Sequence, residues 1–154
     1  MKKKESILIA ASTEDVWKYI GTPDSWSQFH AKARDTKLIS KPGGRIGARY
    51  EMRFSAGRRT SLSTCEIIDI QTNVLISVRS NLDERGQKGS AVMTYEIEEL
   101  GSGTKVDETI DFDTRHINIF FRMIIKWVAV MGRPKGESSL MKLKRIVEQG
   151  SVTQ

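Results

Sequence analysis

Residues 46–55 read IGARYEMRFS and contain the clearest two-residue alternation in the chain. Apolar Ile46, Ala48, Tyr50, Met52 and Phe54 alternate with small, polar or charged residues. Because successive side chains of a strand point to opposite faces, the pattern predicts a strand with one apolar and one polar face. Such a strand needs a second layer to cover its apolar side.

The flanking segments extend this strand into a sheet. Further strands are predicted over residues 6–10, 36–40, 60–70, 73–80, 91–98 and 104–112, with a polar loop at 83–89. The regular spacing and the short glycine turns favour an antiparallel meander. Over residues 60–70 the parity of the apolar residues is ambiguous, so the direction of Glu66 stays open.

Helix signals lie on both sides of the strands. Ser12-Thr13-Glu14-Asp15 fits a helix cap, Gly21 ends that helix, and a short second helix is predicted over residues 24–29 after Pro23. Strands flanked by helices imply an α+β layer architecture, with two short helices after strand 1 and an antiparallel sheet of about six or seven strands. The short strands and the late helix also allow a curved sheet wrapped around that helix.

The late helical region starts with the apolar segment 117–131 and resumes over residues 140–150. Pro134 lies between them, and whether the helix breaks there stays open. The apolar residues of 117–131 cover far more of a helical surface than the stripe that one core requires. The apolar helix surface beyond that stripe must be covered by a ligand, a partner chain, a membrane surface or other elements of the protein.

Composition limits the class of protein. The chain has 154 residues, which predicts a single domain over residues 1–154. One cysteine and two histidines exclude a disulfide framework and are too few for a zinc cluster. No apolar stretch is long enough for a transmembrane helix or a signal peptide, so we expect a cytoplasmic protein. We also expect that the protein uses neither a metal nor another cofactor.

Glu108 is the most informative polar residue. It shares a strand face with Val106, Ile110 and Phe112, so it is the one charge on an apolar side. A carboxyl group buried there must be paired, hydrogen-bonded or neutral, and a neutral one could act as a general acid. The alternative is a bend or bulge that turns Glu108 to water.

Other candidate polar groups are weaker. Tyr50 and Tyr95 lie on apolar strand faces and could offer hydroxyl groups, although core tyrosines usually satisfy the hydroxyl locally. His30 follows the second short helix and could exchange a proton, but an ordinary surface histidine is the commoner case. His116, before the apolar helix, is expected to be solvated. Cys65 is interpreted as a small buried hydrophobe without an activating base.

Two charged groups have simple interpretations. Asp107, Asp111 and Asp113 share one strand parity with Lys105, which indicates a solvated outer face and no metal site. Arg49 and Arg53 project from the polar face of their strand. With Arg58, Arg59 and the N-terminal lysines they could form a basic patch for anionic lipid or nucleic acid. No aromatic residues interleave with them, so a solubilising surface is the commoner case and no nucleic-acid partner is expected.

Taken together, three segments resemble the START-like superfamily, also called SRPBCC or helix-grip, and within it the bacterial polyketide cyclase/dehydrase and lipid-transport group. Residues 9–17 (IAASTEDVW) are similar to the family's first strand and helix. Residues 24–29 (DSWSQF) resemble its short second helix, and residues 136–148 (GESSLMKLKRIVE) resemble its closing helix. Gly103-Thr104-Lys105-Val106 is similar to the start of its last strand.

The resemblance implies an apolar cavity between the sheet and the long helix. Family members bind lipids, polyketides, sterols or plant hormones there, and a minority catalyse cyclisation or dehydration. The candidate ligand-binding residues are Trp26, His30, Tyr50, Met52, Phe54, Tyr95, Glu108, Ile110, Phe112, Phe120, Phe121, Ile124, Trp127, Val128 and Met131.

Three functions are compatible with this sequence. The first is a carrier or sensor of a small hydrophobic molecule. The second is a cyclase or dehydratase that uses Glu108 and His30, or Tyr50 and Tyr95, as acid and base. The third is an interaction protein whose apolar helix forms a homodimer or docks a partner. A monomer and a peripheral contact with a membrane also stay open.

Overall fold

The computed structural model describes residues 2–30, 33–40, 43–56, 58–84, 87–113 and 138–152. Its centre is one antiparallel sheet of seven strands in the order β1-β7-β6-β5-β4-β3-β2. The strands are β1 (Lys2–Ile9), β2 (Ala33–Leu38), β3 (Arg49–Ala56), β4 (Arg59–Gln71), β5 (Leu75–Glu84), β6 (Gln87–Leu100) and β7 (Gly103–Asp113).

Within the described residues, three helical elements accompany the sheet. Helix α1 (Thr13–Ile20) begins at Ser12, whose hydroxyl accepts a hydrogen bond from the Asp15 N–H at 3.2 Å. A short 3-10 helix (Pro23–Gln28) follows, and the chain returns in a closing helix (Ser139–Val152). This order confirms the predicted α+β helix-grip fold, with a curved sheet and short helices after the first strand.

The closing helix is tied to the end of β1. Lys144 Nζ donates to the Leu8 carbonyl at 2.7 Å, and Glu148 Oε1 accepts from the Ala10 N–H at 2.9 Å. Lys144 and Glu148 also form an ion pair at 2.6 Å. These contacts place the buried side chains Leu140, Leu143 and Val147 of the helix on the core.

The prediction of a polar loop over residues 83–89 is wrong. β5 continues to Glu84, β6 starts at Gln87, and these two residues are paired directly. Backbone ladder hydrogen bonds do not depend on side-chain polarity, so two strands can extend as a hairpin beyond the apolar core. The first strand is likewise longer than predicted, since Lys2 already pairs with Asp111 on β7.

The alternation that starts at residue 46 holds from Ala48 onward. Ala48, Tyr50 and Met52 are buried, whereas Ile46 is 65% exposed. Gly47 lies between them with φ +87°, in the left-handed region that favours glycine. The chain turns there, so Ile46 belongs to the preceding loop and not to the inner face.

The ambiguous parity of β4 is resolved by the buried residues. Ser63, Cys65 and Ile67 face inward, and Leu62 is 56% exposed on the other side. Glu66 therefore faces outward, where its register partners are Arg49 and Arg79. A bulge between Ile67 and Asp69 ends this alternation.

The predicted helix over residues 117–131, the solvated position of His116 and the break at Pro134 fall outside the described residues. Among the helices that the structure describes, none has the length and apolar character needed to span a membrane.

Candidate functional site

The described candidate residues lie on the inner face of the sheet, except Trp26 in the 3-10 helix and His30 just after it. Trp26, Tyr50, Met52 and Tyr95 have no exposed surface, and His30 and Glu108 are 7% and 6% exposed. Phe54, Ile110 and Phe112 are partly buried. The remaining candidates lie outside the described residues: Phe120, Phe121, Ile124, Trp127, Val128 and Met131.

Glu108 is directed into the core, so the expected alternative of a bend toward water is wrong. It pairs in register with Tyr95 on β6, and the Tyr95 hydroxyl donates to Glu108 Oε1 at 2.7 Å. Residues that are directly opposite across an antiparallel pair have side chains close enough to touch. We call these two residues the Tyr95–Glu108 pair.

A turn signal in the sequence could have predicted this pair. The β6–β7 hairpin closes with Leu100 opposite Gly103, so only Gly101 and Ser102 lie in the turn. A two-residue turn fixes the register of both strands. Tyr95 is as far before the turn as Glu108 is after it.

Burial controls the proton chemistry of the pair. Burial raises the pKa of Glu108, and the neighbouring Glu5 carboxylate raises it further, against the opposing effects of the Tyr95 hydrogen bond and of Lys3. The pKa of Tyr95 is also raised, by burial first and then by the charges of Glu108 and Glu5. Both groups therefore favour their protonated, neutral forms more than they would in water.

Aromatic rings hold Tyr95 in place. The Trp26 ring lies edge-on to Tyr95 with centroids 5.2 Å apart, and the Phe29 ring does so at 6.0 Å. Trp26 is itself fixed because its Nε1–H donates to the Ile20 carbonyl at 2.9 Å. The 3-10 helix thus positions the pair from outside the sheet.

His30 is not the surface histidine that the alternative interpretation expected. It is buried, its Nδ1 accepts a hydrogen bond from the Ala33 N–H at 3.1 Å, and its ring lies edge-on to Phe54 at 6.1 Å. An accepting Nδ1 means that the ring is neutral with its proton on Nε2. Its position supports the entry to β2.

Tyr50 uses its hydroxyl locally, as expected for a core tyrosine. The Tyr50 hydroxyl accepts a hydrogen bond from the Gly44 N–H at 2.9 Å. Tyr50 therefore braces the loop before β3 and, unlike Tyr95, contacts no acid through that bond.

Cys65 is confirmed as a buried thiol. Burial raises its pKa to about 11, against a smaller lowering effect of the Ser80 hydroxyl beside it. A thiol in that state carries almost no thiolate at neutral pH, so it is a poor nucleophile.

Among the aspartates of β7, Asp107 lies on the outer face of the sheet, away from the candidate site. Asp107 faces outward, accepts a hydrogen bond from the Ser6 hydroxyl and pairs with Lys105 at 3.5 Å and Lys4 at 3.8 Å. Across the part of the chain that is described, no group of three or more acidic, histidine or cysteine side chains could hold a metal ion.

The sequence analysis missed two inward-facing serines. Ser63 on β4 and Ser80 on β5 are 2% and 4% exposed. Among the described residues the Ser63 hydroxyl has no hydrogen-bond partner, and the Ser80 hydroxyl has none stronger than the weak interaction with the Cys65 thiol that lowers the thiol's pKa. Serine occurs on both faces of strands, so no pattern in the sequence distinguishes them.

A curved antiparallel sheet with two short helices after its first strand and a closing helix defines the START-like, helix-grip class of proteins. Within that class, the chain belongs to the family described as polyketide cyclase / dehydrase and lipid transport, whose model matches residues 2–148.

Solved structures share this fold at low sequence identity. A protein of Thermus thermophilus is 20% identical, with a TM-score of 0.70 over 98% of this chain and 99% of that one. Major latex-like protein 151 of Panax ginseng is 13% identical, with a TM-score of 0.64 over 97% and 96% of the two chains.

A protein of a biosynthetic pathway also matches. The di-domain ARO/CYC protein BexL of the BE-7585A biosynthetic pathway is 16% identical, with a TM-score of 0.67 over 98% of this chain and 47% of that chain. No curated protein matches the sequence. These likenesses establish the fold.

Proposed function

We propose that the protein binds a small hydrophobic molecule, a lipid or a polyketide-like compound, between the inner face of the sheet and the C-terminal part of the chain. It acts as a carrier or sensor of that molecule. The observation that carries this proposal is the Tyr95–Glu108 pair, a hydrogen-bonded polar group buried among apolar side chains of the inner face.

The surroundings of the pair supply the apolar contact. Ile76, the register partner of Tyr95, and Val106 on β7 are fully buried, and Met93 is 5% exposed. Ligand sites are mostly apolar, with a few polar groups that fix the orientation of the ligand. Apolar burial contributes about 25 cal/mol per Å², so affinity would come from area and orientation from the pair.

Family membership supports the same class of ligand. The family's description includes lipid transport as well as cyclisation and dehydration. A fold of this kind hosts several functions, so the residues of the site must decide among them.

Native mass spectrometry of the purified protein, followed by solvent extraction, tests this proposal. We expect a bound hydrophobic molecule in the purified protein, or binding of 1-decanol by the extracted protein in a dye-displacement titration. Absence of both would overturn it.

A matched pair of substitutions locates the binding surface. Ile67→Phe adds volume on the inner face, and Leu62→Phe adds it to the outer face of the same strand. We expect Ile67→Phe to weaken 1-decanol binding by about tenfold, a free-energy change of about 1.4 kcal/mol, and Leu62→Phe to leave it unchanged. Equal affinities of the two variants would contradict binding at the inner face.

A second candidate function is a cyclase or dehydratase, and the raised pKa of Glu108 favours it. A neutral carboxyl group can donate a proton to a carbonyl or hydroxyl oxygen of a substrate. Glu108→Gln keeps a hydrogen-bond acceptor for Tyr95 but removes that proton. If the protein cyclises a linear poly-β-ketone, we expect this variant to lose about 100-fold or more in turnover, and unchanged turnover would exclude Glu108 as the acid.

A further inference from the structure

Three buried hydroxyl groups have no hydrogen-bond partner among the described residues: Thr36 Oγ1, Ser63 Oγ and Ser80 Oγ. They share one region of the sheet. Thr36 is the register partner of Met52, and Met52 is the register partner of Ser63, so the three residues form one row across β2, β3 and β4. Register partners point to the same face of a sheet, and Met52 is fully buried on the inner face.

Ser80 belongs to the next row. Its partner on β4 is Cys65, two residues after Ser63 on the same face, and its partner on β6 is Ala91. The thiol beside it is only a weak hydrogen-bonding group. We call Thr36, Ser63 and Ser80 the hydroxyl patch.

Buried polar groups in proteins are nearly always hydrogen-bonded, because a buried group without a partner loses its bonds to water and gains nothing in return. One such hydroxyl would be an isolated defect. Three on β2, β4 and β5, all directed to the inner side of the sheet, instead mark a place where a polar group from outside the sheet completes the bonds.

The patch lies at a fixed distance from the Tyr95–Glu108 pair. Ser80 and Ile76 are both inward residues of β5, and Ile76 is the register partner of Tyr95. Four residues of antiparallel strand span roughly 13 Å. Between the two rows lies a third, made of Ile67, Val78 and Met93, which are in register and buried.

The inner face thus presents a polar group, an apolar row and a second polar group in sequence. The described side chains around the hydroxyl patch are uncharged, namely Leu38, Tyr50, Met52 and Cys65. Hydroxyl groups both donate and accept, so they suit an uncharged oxygen, whereas a carboxylate or phosphate would lack a countercharge among these residues.

We propose that the hydroxyl patch is a second polar subsite and that the natural ligand carries an uncharged oxygen group, a hydroxyl or a carbonyl, at each end of an apolar middle. One end contacts Tyr95 and Glu108, and the other contacts Ser63 and Ser80. This inference rests on the proposed function and adds the ligand's polarity and length to it.

The probes for this inference are 1,10-decanediol and 1-decanol, which differ by one terminal hydroxyl. A net hydrogen bond corresponds to about fivefold in affinity, so we expect the wild-type protein to bind the diol about fivefold more tightly. Dye-displacement titration measures both affinities under the same conditions.

The double variant Ser63→Ala/Ser80→Ala removes two hydroxyl groups of the patch. We expect it to bind the two probes with equal affinity. Ser77→Ala is the matched control, because the Ser77 hydroxyl lies on the same strand as Ser80 but is already hydrogen-bonded to Thr94 at 2.8 Å. We expect this control to retain the preference for the diol.

Thermal unfolding checks that the double variant folds, and the two single variants, each expected to lose part of the preference, serve if it does not. Equal binding of both probes by the wild type, or a preference that survives in the serine variants, would overturn this inference while the proposed function stands. Binding of neither probe would overturn this inference, and if no hydrophobic molecule copurifies with the protein it would overturn the proposed function as well.

Discussion

The inner face of the sheet has two polar regions that differ in one respect. In the Tyr95–Glu108 pair the hydroxyl and the carboxyl group bond to each other at 2.7 Å. In the hydroxyl patch the buried hydroxyls find no partner in the described part of the chain. A polar group that is satisfied within the protein contributes to stability, whereas one that is not lowers stability and favours binding of a partner. Substitutions in the two regions should therefore have opposite effects on stability.

The largest effect is expected where aromatic packing holds the satisfied region. Trp26→Ala removes a fully buried ring beside Tyr95 and the bond to the Ile20 carbonyl. We expect it to lower the free energy of unfolding by about 3–5 kcal/mol. Urea denaturation measures this, with exposed Leu62→Ala as the control, expected within about 0.5 kcal/mol of wild type. A loss below about 1 kcal/mol would mean that Trp26 does not support the pair.

The next effect concerns the pair itself. Tyr95→Phe leaves the buried Glu108 without its donor, so we expect a loss of about 1–3 kcal/mol in unfolding free energy. Tyr50→Phe is the comparison, since the hydroxyl of Tyr50 bonds to a part-buried loop N–H. If both variants lose the same unfolding free energy, the Glu108 carboxyl group adds nothing to the stability that the Tyr95 hydrogen bond contributes.

A third effect appears as a trend with pH. Burial raises the pKa of Glu108 above its ordinary value of 4.5, so the folded protein binds this proton more tightly than the unfolded chain. Stability from Glu108 is then fully present below the unfolded pKa and is lost as pH rises through the folded pKa. We expect the stability of wild type relative to Glu108→Gln to fall as pH rises above 4.5, as measured by urea denaturation at several pH values. A constant difference would contradict the raised pKa.

Asp107, on the outer face of β7, contributes a pH dependence of the opposite sign. The pKa of Asp107 is lowered because the Ser6 hydrogen bond, Lys105 and Lys4 together outweigh burial, which is the largest single influence and acts to raise it. Its contribution is present above its unfolded pKa and is lost on acidification. Asp107→Asn therefore separates the pH dependence of Asp107 from that of Glu108. We expect it to remove the loss of stability on acidification and to leave the loss on raising the pH unchanged.

The smallest effects give the sharpest contrast. Ser77→Ala breaks a bond to Thr94 and should cost about 0.5–1.5 kcal/mol. Ser63→Ala removes a hydroxyl without a partner in the described residues, so we expect no loss or a slight gain in unfolding free energy. Chemical denaturation of the two variants side by side tests this. A clear loss in Ser63→Ala would show that its hydroxyl is satisfied in the free protein.

The sequence predicted the fold through its periodicity. The alternation from Ala48 to Phe54 and the cap at Ser12 are local signals, and the structure confirms both. The strand pairing of Asp83 and Glu84 with Lys88 and Gln87 was missed because backbone pairing leaves no hydrophobic pattern in the sequence. The exposure of Ile46 was missed because it depends on the backbone angle at Gly47.

Part of the candidate site could also be predicted from local signals in the sequence. The strand parity of Glu108 correctly predicted that its side chain points inward. The two-residue turn that begins at Gly101 sets the register that places Glu108 opposite Tyr95. The three residues of the hydroxyl patch come from β2, β4 and β5, and the patch is recognised by hydrogen bonds that its hydroxyl groups lack among the described residues. That information arises only when the strands are assembled.

The attachment of the closing helix to β1 also bears on how the chain folds. The bonds from Lys144 to Leu8 and from Glu148 to Ala10 join residues 136 and 138 positions apart, and β1 has its only sheet neighbour in β7 among the described strands. During synthesis the first strand therefore waits unpaired until most of the chain has left the ribosome. Such distant contacts slow folding and leave an open strand edge that can aggregate, so nascent chains of this protein should depend on chaperones more than those of a local helical bundle.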